Sequence, residues 1–237
     1  MKNAILFVAI VVMMIAATSC QPGGSADVKL ETRVDSVSYA IGVLVGANNK
    51  KQLEGAPGHN DMNIEAMAQA FRSSSLGEEP KIAEEDANAL IQKFFMEEND
   101  REAQENLEAG SKFLEENGKR EGVTTTESGL QYEVLTEGTG EKPTATDQVR
   151  VHYHGTLIDG TVFDSSVDEG EPVVFGVNRV IPGWTEALEL MPVGSKWKVY
   201  IPAELAYGER GAGGDIGPNA ALIFEVELLE IVKPESK

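Results

Sequence analysis

Residues 180–191 read Val-Ile-Pro-Gly-Trp-Thr-Glu-Ala-Leu-Glu-Leu-Met, and they decide how the C-terminal half of this 237-residue chain is built. Pro182-Gly183 punctuates the chain. After it Trp184, Ala187, Leu188 and Met191 fall at i, i+3, i+4 and i+7, one apolar stripe on a helix of two or three turns. This is the only helix signal in the last hundred residues. The segments around it (130–135, 149–158, 173–175, 196–201 and 222–232) read as strands. A short helix with one apolar face among antiparallel strands must lay that face across the concave side of a sheet, and Trp184 would then floor a cavity.

The alternation along the strands says which side chains look into that cavity. Val149, Val151 and Tyr153 share one face while Arg150, His152 and His154 share the other; Leu222, Phe224, Val226 and Leu228 oppose Glu225 and Glu227. Asp159-Gly160 is a strong hairpin turn between residues 156–158 and 161–163. The inward set therefore gathers Tyr153, Phe163, Phe175, Trp184 and Phe224, more aromatics than so small a core requires, with one carboxylate, Asp164, directly after Phe163. Each residue alone has a plainer reading: Trp184 and Phe224 as ordinary core, Tyr207 as loop chemistry beside Gly208, Asp164 as a cap for the Ser165-Ser166 turn.

Several chemistries are excluded. A formal charge of −19 argues against nucleic acid, whose phosphates demand clustered Lys and Arg, and against attraction to anionic lipid. His59, His152 and His154 lack the cysteine or clustered carboxylates that would complete a metal site, so no metal is expected. No Gly-x-Ser-x-Gly elbow is present, and the Gly-rich run at 211–217 lacks the Lys-Ser or Lys-Thr of a phosphate loop.

Upstream the chain is helical. Residues 35–53 carry Val37, Ala40, Ile41, Leu44 and Val45 on one side, with Gly42 and Gly46 interrupting at about 1 kcal/mol each relative to Ala, a cost that points to a close backbone neighbour. Asn63 caps a second short helix with Ile64, Met67, Ala68 and Phe71 in one stripe. Neither helix has enough apolar area to stand alone, so dimerisation through residues 35–95 is the natural remedy. A long polar helix follows over 83–117. Its apolar residues, Leu90, Ile91, Phe94 and Phe95, are front-loaded, so the first half packs and the second is solvated. At 1.5 Å per residue it forms a semi-rigid spacer of roughly 50 Å; the alternative is a surface helix folded back on one domain.

The N-terminus reads as an export signal: Lys2, an apolar run over 4–17 too short for a bilayer core of ~30 Å, then small residues. Cys20, the sole cysteine, ends a lipobox-like Ala17-Thr18-Ser19-Cys20, and acylation there would anchor the mature chain stably to a membrane. Residues 21–26 make a flexible tether.

Five blocks in order resemble one family. Residues 151–155 (Val-His-Tyr-His-Gly), 160–166 (Gly-Thr-Val-Phe-Asp-Ser-Ser), 180–184 (Val-Ile-Pro-Gly-Trp), 206–208 (Ala-Tyr-Gly) and 222–228 (Leu-Ile-Phe-Glu-Val-Glu-Leu) resemble the FK506-binding type (FKBP) of peptidyl-prolyl cis-trans isomerase. The arrangement before them, with Ser128-Gly129-Leu130-Gln131-Tyr132 leading into the last domain, is similar to the exported bacterial macrophage-infectivity-potentiator and FkpA-like subgroup. The resemblance implies an α+β fold: an FKBP-like antiparallel sheet wrapped around a short helix, preceded by an all-α dimerisation domain and a long connecting helix. The divisions expected are a signal peptide (1–19), a lipidated Cys20 with tether (20–34), the helical domain (35–82), the connecting helix (83–118) and the isomerase domain (123–237).

Carried over by position, the resemblance implies a proline pocket lined by Tyr153, Phe163, Asp164, Val180, Ile181, Trp184, Tyr207 and Phe224, with Phe175 joining them from the alternation. Tyr153, Asp164 and Tyr207 would take part in catalysis. The Ile181 N–H and the Tyr207 hydroxyl would hold substrate carbonyls, and no cofactor is needed. Val173, Ala212 and Asp215 depart from the pattern of many relatives in ways that bear on ligand affinity and on the residue preferred before proline. The expected protein is an exported, lipid-anchored homodimer of the bacterial envelope, facing the periplasm. It isomerises X-Pro bonds in unfolded proteins or, alternatively, holds unfolded chains in the dimer cleft with isomerisation secondary.

Overall fold

The computed structural model describes residues 28–54 and 56–232. The expected export signal and Cys20 lie outside these residues. None of the described helices is long and apolar enough to cross a membrane.

Contacts divide the chain into two units, 1–49 and 50–237. The described part of the first is most of helix α1 (Arg33–Glu54). Thr32 and Asp35 start it reciprocally: the Thr32 N–H donates to Asp35 Oδ2 at 2.8 Å and the Asp35 N–H donates to Thr32 Oγ1 at 3.1 Å, a capping box that holds the Asp35 carboxyl below its usual range. No residue of α1 is buried, and a Cβ at Gly42 or Gly46 would meet nothing within 4 Å. Among the described residues, then, nothing explains those glycines.

In the second unit α2 (Ile64–Ser75) begins where the sequence places it, with Asn63 Oδ1 accepting from the Ala66 N–H at 3.0 Å. Helix α3 (Glu84–Asn117) corrects the expected burial. In its first half Leu90 and Ile91 are more than half exposed, whereas Phe94 and Phe95 are partly buried as expected. In its second half Glu102, Ala103, Asn106, Gly110, Phe113, Leu114 and Asn117 are withdrawn from solvent, with Gly110 and Asn117 buried, while every other residue of 102–117 is exposed. These seven follow the helical period, yet most are small or polar, so hydrophobicity alone does not reveal them. They dock α3 on the sheet: a Cβ on Gly110 would lie 3.1 Å from Ala221 Cβ, the Phe113 and Tyr200 rings are 5.9 Å apart, and Asn117 Nδ2 donates to Gln131 Oε1 at 2.8 Å. Gln131 Nε2 in turn donates to the Leu114 carbonyl, which also accepts the Gly118 N–H at the end of the helix.

A consequence can be measured at Gly110. Alanine gains about 1 kcal/mol of helix propensity against a tight but yielding contact and should be near neutral; leucine should cost about 1–3 kcal/mol by prising α3 off the sheet. Urea unfolding of the three proteins separates these outcomes.

Seven strands follow: β1 (Val123–Thr125), β2 (Gln131–Thr136), β3 (Gln148–Leu157), β4 (Val162–Ser165), β5 (Val173–Gly176), β6 (Lys196–Ile201) and β7 (Leu222–Val232). They form one antiparallel sheet in the order β1-β2-β6-β7-β3-β4, with β5 also on β3. Helix α5 (Pro182–Leu190) lies on its concave face with Pro182 in the first turn, and Trp184, Ala187, Leu188 and Met191 are all buried, as their spacing requires. Gly183 is what lets the helix approach, because a Cβ there would sit 2.5 Å from Ile201 Cγ2.

One edge of β3 is shared by two partners. β4 pairs with residues 154–156 and β5 with 148–151, and between them the chain turns through α4 (Ser166–Glu169), one turn too short to show in the sequence. The gap is patched by fully buried Ser166, whose Oγ accepts the Tyr153 N–H at 2.8 Å and donates to the Tyr153 carbonyl. Ser165 supplies the cap that starts α4, accepting from the Asp168 N–H.

Candidate active site

All nine side chains singled out from the sequence, Tyr153, Phe163, Asp164, Phe175, Val180, Ile181, Trp184, Tyr207 and Phe224, line one cleft of about 570 Å³. Trp184 stands at its centre with three rings meeting it edge-on: Tyr153 at 5.4 Å, Phe175 at 5.7 Å and Phe224 at 5.2 Å, the ring planes within about 11° of perpendicular. Phe163 meets Phe224 in the same way at 5.4 Å.

Two irregularities make this possible. The β3–β4 register slips between Gly155 and Thr156, leaving Phe163 without an opposite residue. Neighbours on a regular strand face opposite sides, so this bulge is what lets Phe163 and Asp164 both line the cleft. Gly155 faces them, and a Cβ there would lie 2.8 Å from both the Phe163 and Phe224 rings. The sequence signal for this role is a glycine inside an otherwise alternating strand.

The polar groups are few. The Tyr153 hydroxyl donates to Asp164 Oδ2 at 2.7 Å. Burial, and then that carboxylate, hold the Tyr153 phenol well above its ordinary value, with smaller contributions from Glu169 and Tyr207. The sign of the consequence follows. A raised phenol pKa contributes stability that is fully present below the unfolded value of about 10 and is lost as pH rises beyond it. Wild-type stability to urea should therefore fall between about pH 10 and 11 more steeply than that of Tyr153→Phe. Tyr200, also raised by burial, will contribute equally to both proteins.

Tyr207 is 42 % exposed at the rim. Among the described residues neither its hydroxyl nor the Ile181 N–H takes part in a hydrogen bond, so both remain open to a ligand's carbonyl oxygens. Ala212, Gly213, Asp215 and Ile216 close one side, and Arg179 adds the one cationic side chain of the lining. Arg179 and Ile216 were not anticipated: each lies in an irregular segment, where no periodicity assigns a direction. His152 and His154 face away from the cleft, their Nδ1 atoms at 3.2 and 2.9 Å from Ser166 and Ser165 Oγ. The arrangement can desolvate an apolar ring and offer two hydrogen-bond donors and one carboxylate; it holds no nucleophile paired with a base.

Residues 139–229 match the family described as FKBP-type peptidyl-prolyl cis-trans isomerase, and residues 34–134 match the domain amino-terminal to it. The chain is 44 % identical over 232 residues to the FKBP-type peptidyl-prolyl cis-trans isomerase FkpA of Aeromonas hydrophila, covering 93 % of this chain and 84 % of that one. It is 50 % identical over 200 residues to the FKBP-type 22 kDa peptidyl-prolyl cis-trans isomerase of Escherichia coli K12 (82 % and 94 % covered), and 43 % identical over 211 residues to the outer membrane protein MIP of Legionella longbeachae (86 % and 88 %). The crystal structure of FkpA from Escherichia coli superposes with a TM-score of 0.63 at 33 % identity, covering 88 % of this chain and all of that one. With both halves matched in order and the chain aligned over most of its length, it belongs to the FKBP-type peptidyl-prolyl cis-trans isomerases.

Proposed function

We propose that the aromatic cleft binds the proline of X-Pro segments in unfolded exported proteins and lowers the barrier to rotation about the preceding amide. The observation that carries this reading is the ring cage around Trp184, with the Tyr153–Asp164 bond at its edge. Rotation costs ~18–20 kcal/mol because the twisted amide loses resonance, and the spontaneous reaction takes tens to hundreds of seconds. The twisted amide has a less polarised carbonyl than the planar one, so a dry aromatic pocket favours it over the solvated ground state. Trp184 floors the pocket, and Phe163, Phe175, Val180 and Phe224 wall it. The Ile181 N–H and the Tyr207 hydroxyl hold the chain on either side of the bond. Asp164 acts beside the turning carbonyl, with no proton transfer. A ten-thousand-fold acceleration needs only about 5.5 kcal/mol, within reach of desolvation and a few hydrogen bonds.

Cis-to-trans relaxation of an X-Pro peptide, followed with residues 21–237 and with Phe163→Ala, tests this. Wild-type acceleration that falls by about 100-fold on removing the half-buried Phe163 ring supports the pocket; equal rates in the two proteins overturn it.

The same reading makes the protein a homodimer through residues 35–95. Val37, Ile41, Leu44, Ile64, Met67 and Phe71 are exposed in the single chain, and Gly42 and Gly46 leave room for another backbone. Sedimentation of Ile41→Glu against wild type would decide it, a monomer being the expected variant. Lipidation at Cys20 would tether the dimer to the envelope, in keeping with a relative named as an outer membrane protein. The exposed helical faces also favour a second reading, a cleft that holds unfolded clients, and aggregation suppression retained after Phe163→Ala would support it.

A further inference from the structure

The loop over residues 208–219 closes one side of the pocket, and it is tied down from behind. The Asn219 N–H closes its base on the Gly208 carbonyl at 2.8 Å, and Ala212 and Ile216 exchange both backbone hydrogen bonds at 2.9 and 3.2 Å. Asn219 is the only described residue other than glycine with a positive φ, 55°, a conformation Asn tolerates better than most residues. The loop's front, from Ala212 to Ile216, lines the pocket; its back meets α3. There Asn106 Nδ2 donates to the Pro218 carbonyl at 2.9 Å, and Asn219 Nδ2 reaches the Ala103 carbonyl at 3.4 Å. Gly217 fits so closely that a Cβ on it would run into the Glu102 carboxylate and come within 2.9 Å of Asn106 Nδ2.

We infer that Asn106, on the long helix, is a positioning residue of the isomerase site, holding the 208–219 loop against the pocket through the Pro218 carbonyl. This rests on the pocket being the isomerase site. Pro218 is buried and cannot donate, so its carbonyl, at 2.9 Å from Asn106 Nδ2, is the shorter of the two hydrogen-bonded links from this flank of the loop to α3, the other being Asn219 to the Ala103 carbonyl at 3.4 Å. Ile216 and Asp215, two and three residues away, take their places from that anchor. Among the described residues the turn at 213–215 is held by the Ala212–Ile216 exchange alone. Releasing the anchor loosens a wall that touches substrate equally in its planar and twisted forms. The effect should therefore fall on KM, with kcat little changed.

The test uses the full mature chain, residues 21–237, and an X-Pro tetrapeptide. Asn106→Ala should lower kcat/KM by about 3–10-fold, mostly through KM, the range one part-buried hydrogen bond supplies. Native-state hydrogen exchange at the Ala212 and Ile216 amides should speed up by a comparable factor, and this reading needs no catalysis. Asn106→Asp keeps the shape but loses the donor when ionised. It should match the alanine variant at pH 7.5 and recover toward wild type below about pH 4, where the carboxyl again carries a proton. Each ratio is taken against wild type at the same pH, so that the carboxyl groups the two proteins share near the loop and pocket, Asp164, Glu102 and Glu105, cancel. An active wild type whose kcat/KM and amide exchange do not change in Asn106→Ala overturns the clamp and leaves the pocket standing. A folded wild type that does not accelerate the peptide overturns the pocket reading and the clamp with it.

Discussion

Phe224→Ala is expected to cost the protein about 3–5 kcal/mol of stability, a large share of the 5–15 kcal/mol typical of a whole domain, and to reduce isomerase activity by at least about 100-fold. Phe224 is 4 % exposed and sits on β7 opposite Gly155 on one side and Val199 on the other. Its ring is the back wall shared by Trp184, Phe163 and Tyr153, at 5.2, 5.4 and 6.4 Å. Truncation opens a hole that the sheet cannot close, because the backbone on both sides is fixed by ladder hydrogen bonds. With the proposed site built into the core in this way, stability and rate should fall together. Leu228→Ala provides the contrast. Leu228 is fully buried on the same strand but does not line the cleft, so it should cost about 2–5 kcal/mol while leaving kcat/KM nearly unchanged. Urea unfolding and peptide relaxation, both measured where each variant is folded, give the two readings. Phe224→Ala with activity within a few-fold of wild type would separate the core from the site and sink the argument.

How far these features could be read in advance depends on the range over which each is encoded. The strands and α5 are written in local periodicity: Val149, Val151 and Tyr153 on one face, and Trp184, Ala187, Leu188 and Met191 on one stripe, are buried where the pattern puts them. Tyr153, Phe175 and Phe224 follow from the same alternation, because a strand residue has only two directions to face, and Trp184 follows from the helical stripe. Tyr207, Val180 and Ile181 lie outside regular strands, and only resemblance to a family pointed to them. What escaped was non-local. The second half of α3 looks solvated because its docking stripe is built from Ala103, Asn106, Gly110 and Asn117, whose contribution is close approach and hydrogen bonding rather than apolar area. The function of Gly155 depends on the two rings that close over it, Phe163 and Phe224, the latter 69 positions away along the chain. The bulge at Phe163 depends on register with β3, which no single strand's pattern records.

The Tyr153–Asp164 pair should behave as one unit toward the substrate. Oδ2 of Asp164 is occupied by the Tyr153 hydroxyl at 2.7 Å, which fixes the carboxylate's rotation and leaves Oδ1, beside the pocket, without a hydrogen-bond partner among the described residues. A carboxylate so oriented can act on the turning carbonyl through its field without exchanging a proton. Asp164→Ala should lower kcat/KM by about 10–100-fold, equivalent to about 1.4–2.7 kcal/mol of transition-state stabilisation. Tyr153→Phe should cost less, about 3–10-fold, since the carboxylate survives but loses its orientation. If orientation is the tyrosine's whole contribution, the double variant should be no worse than Asp164→Ala, because the hydroxyl has nothing left to orient. Multiplying losses would mean that the tyrosine contacts the substrate on its own account, and would overturn the unit. Asp164→Asn then isolates the charge: it retains an oxygen to accept from Tyr153 while removing the field. Activity near that of Asp164→Ala would assign the effect to charge, whereas activity near wild type would assign it to the hydrogen-bonded shape of the pocket edge and exclude an electrostatic role for the carboxylate.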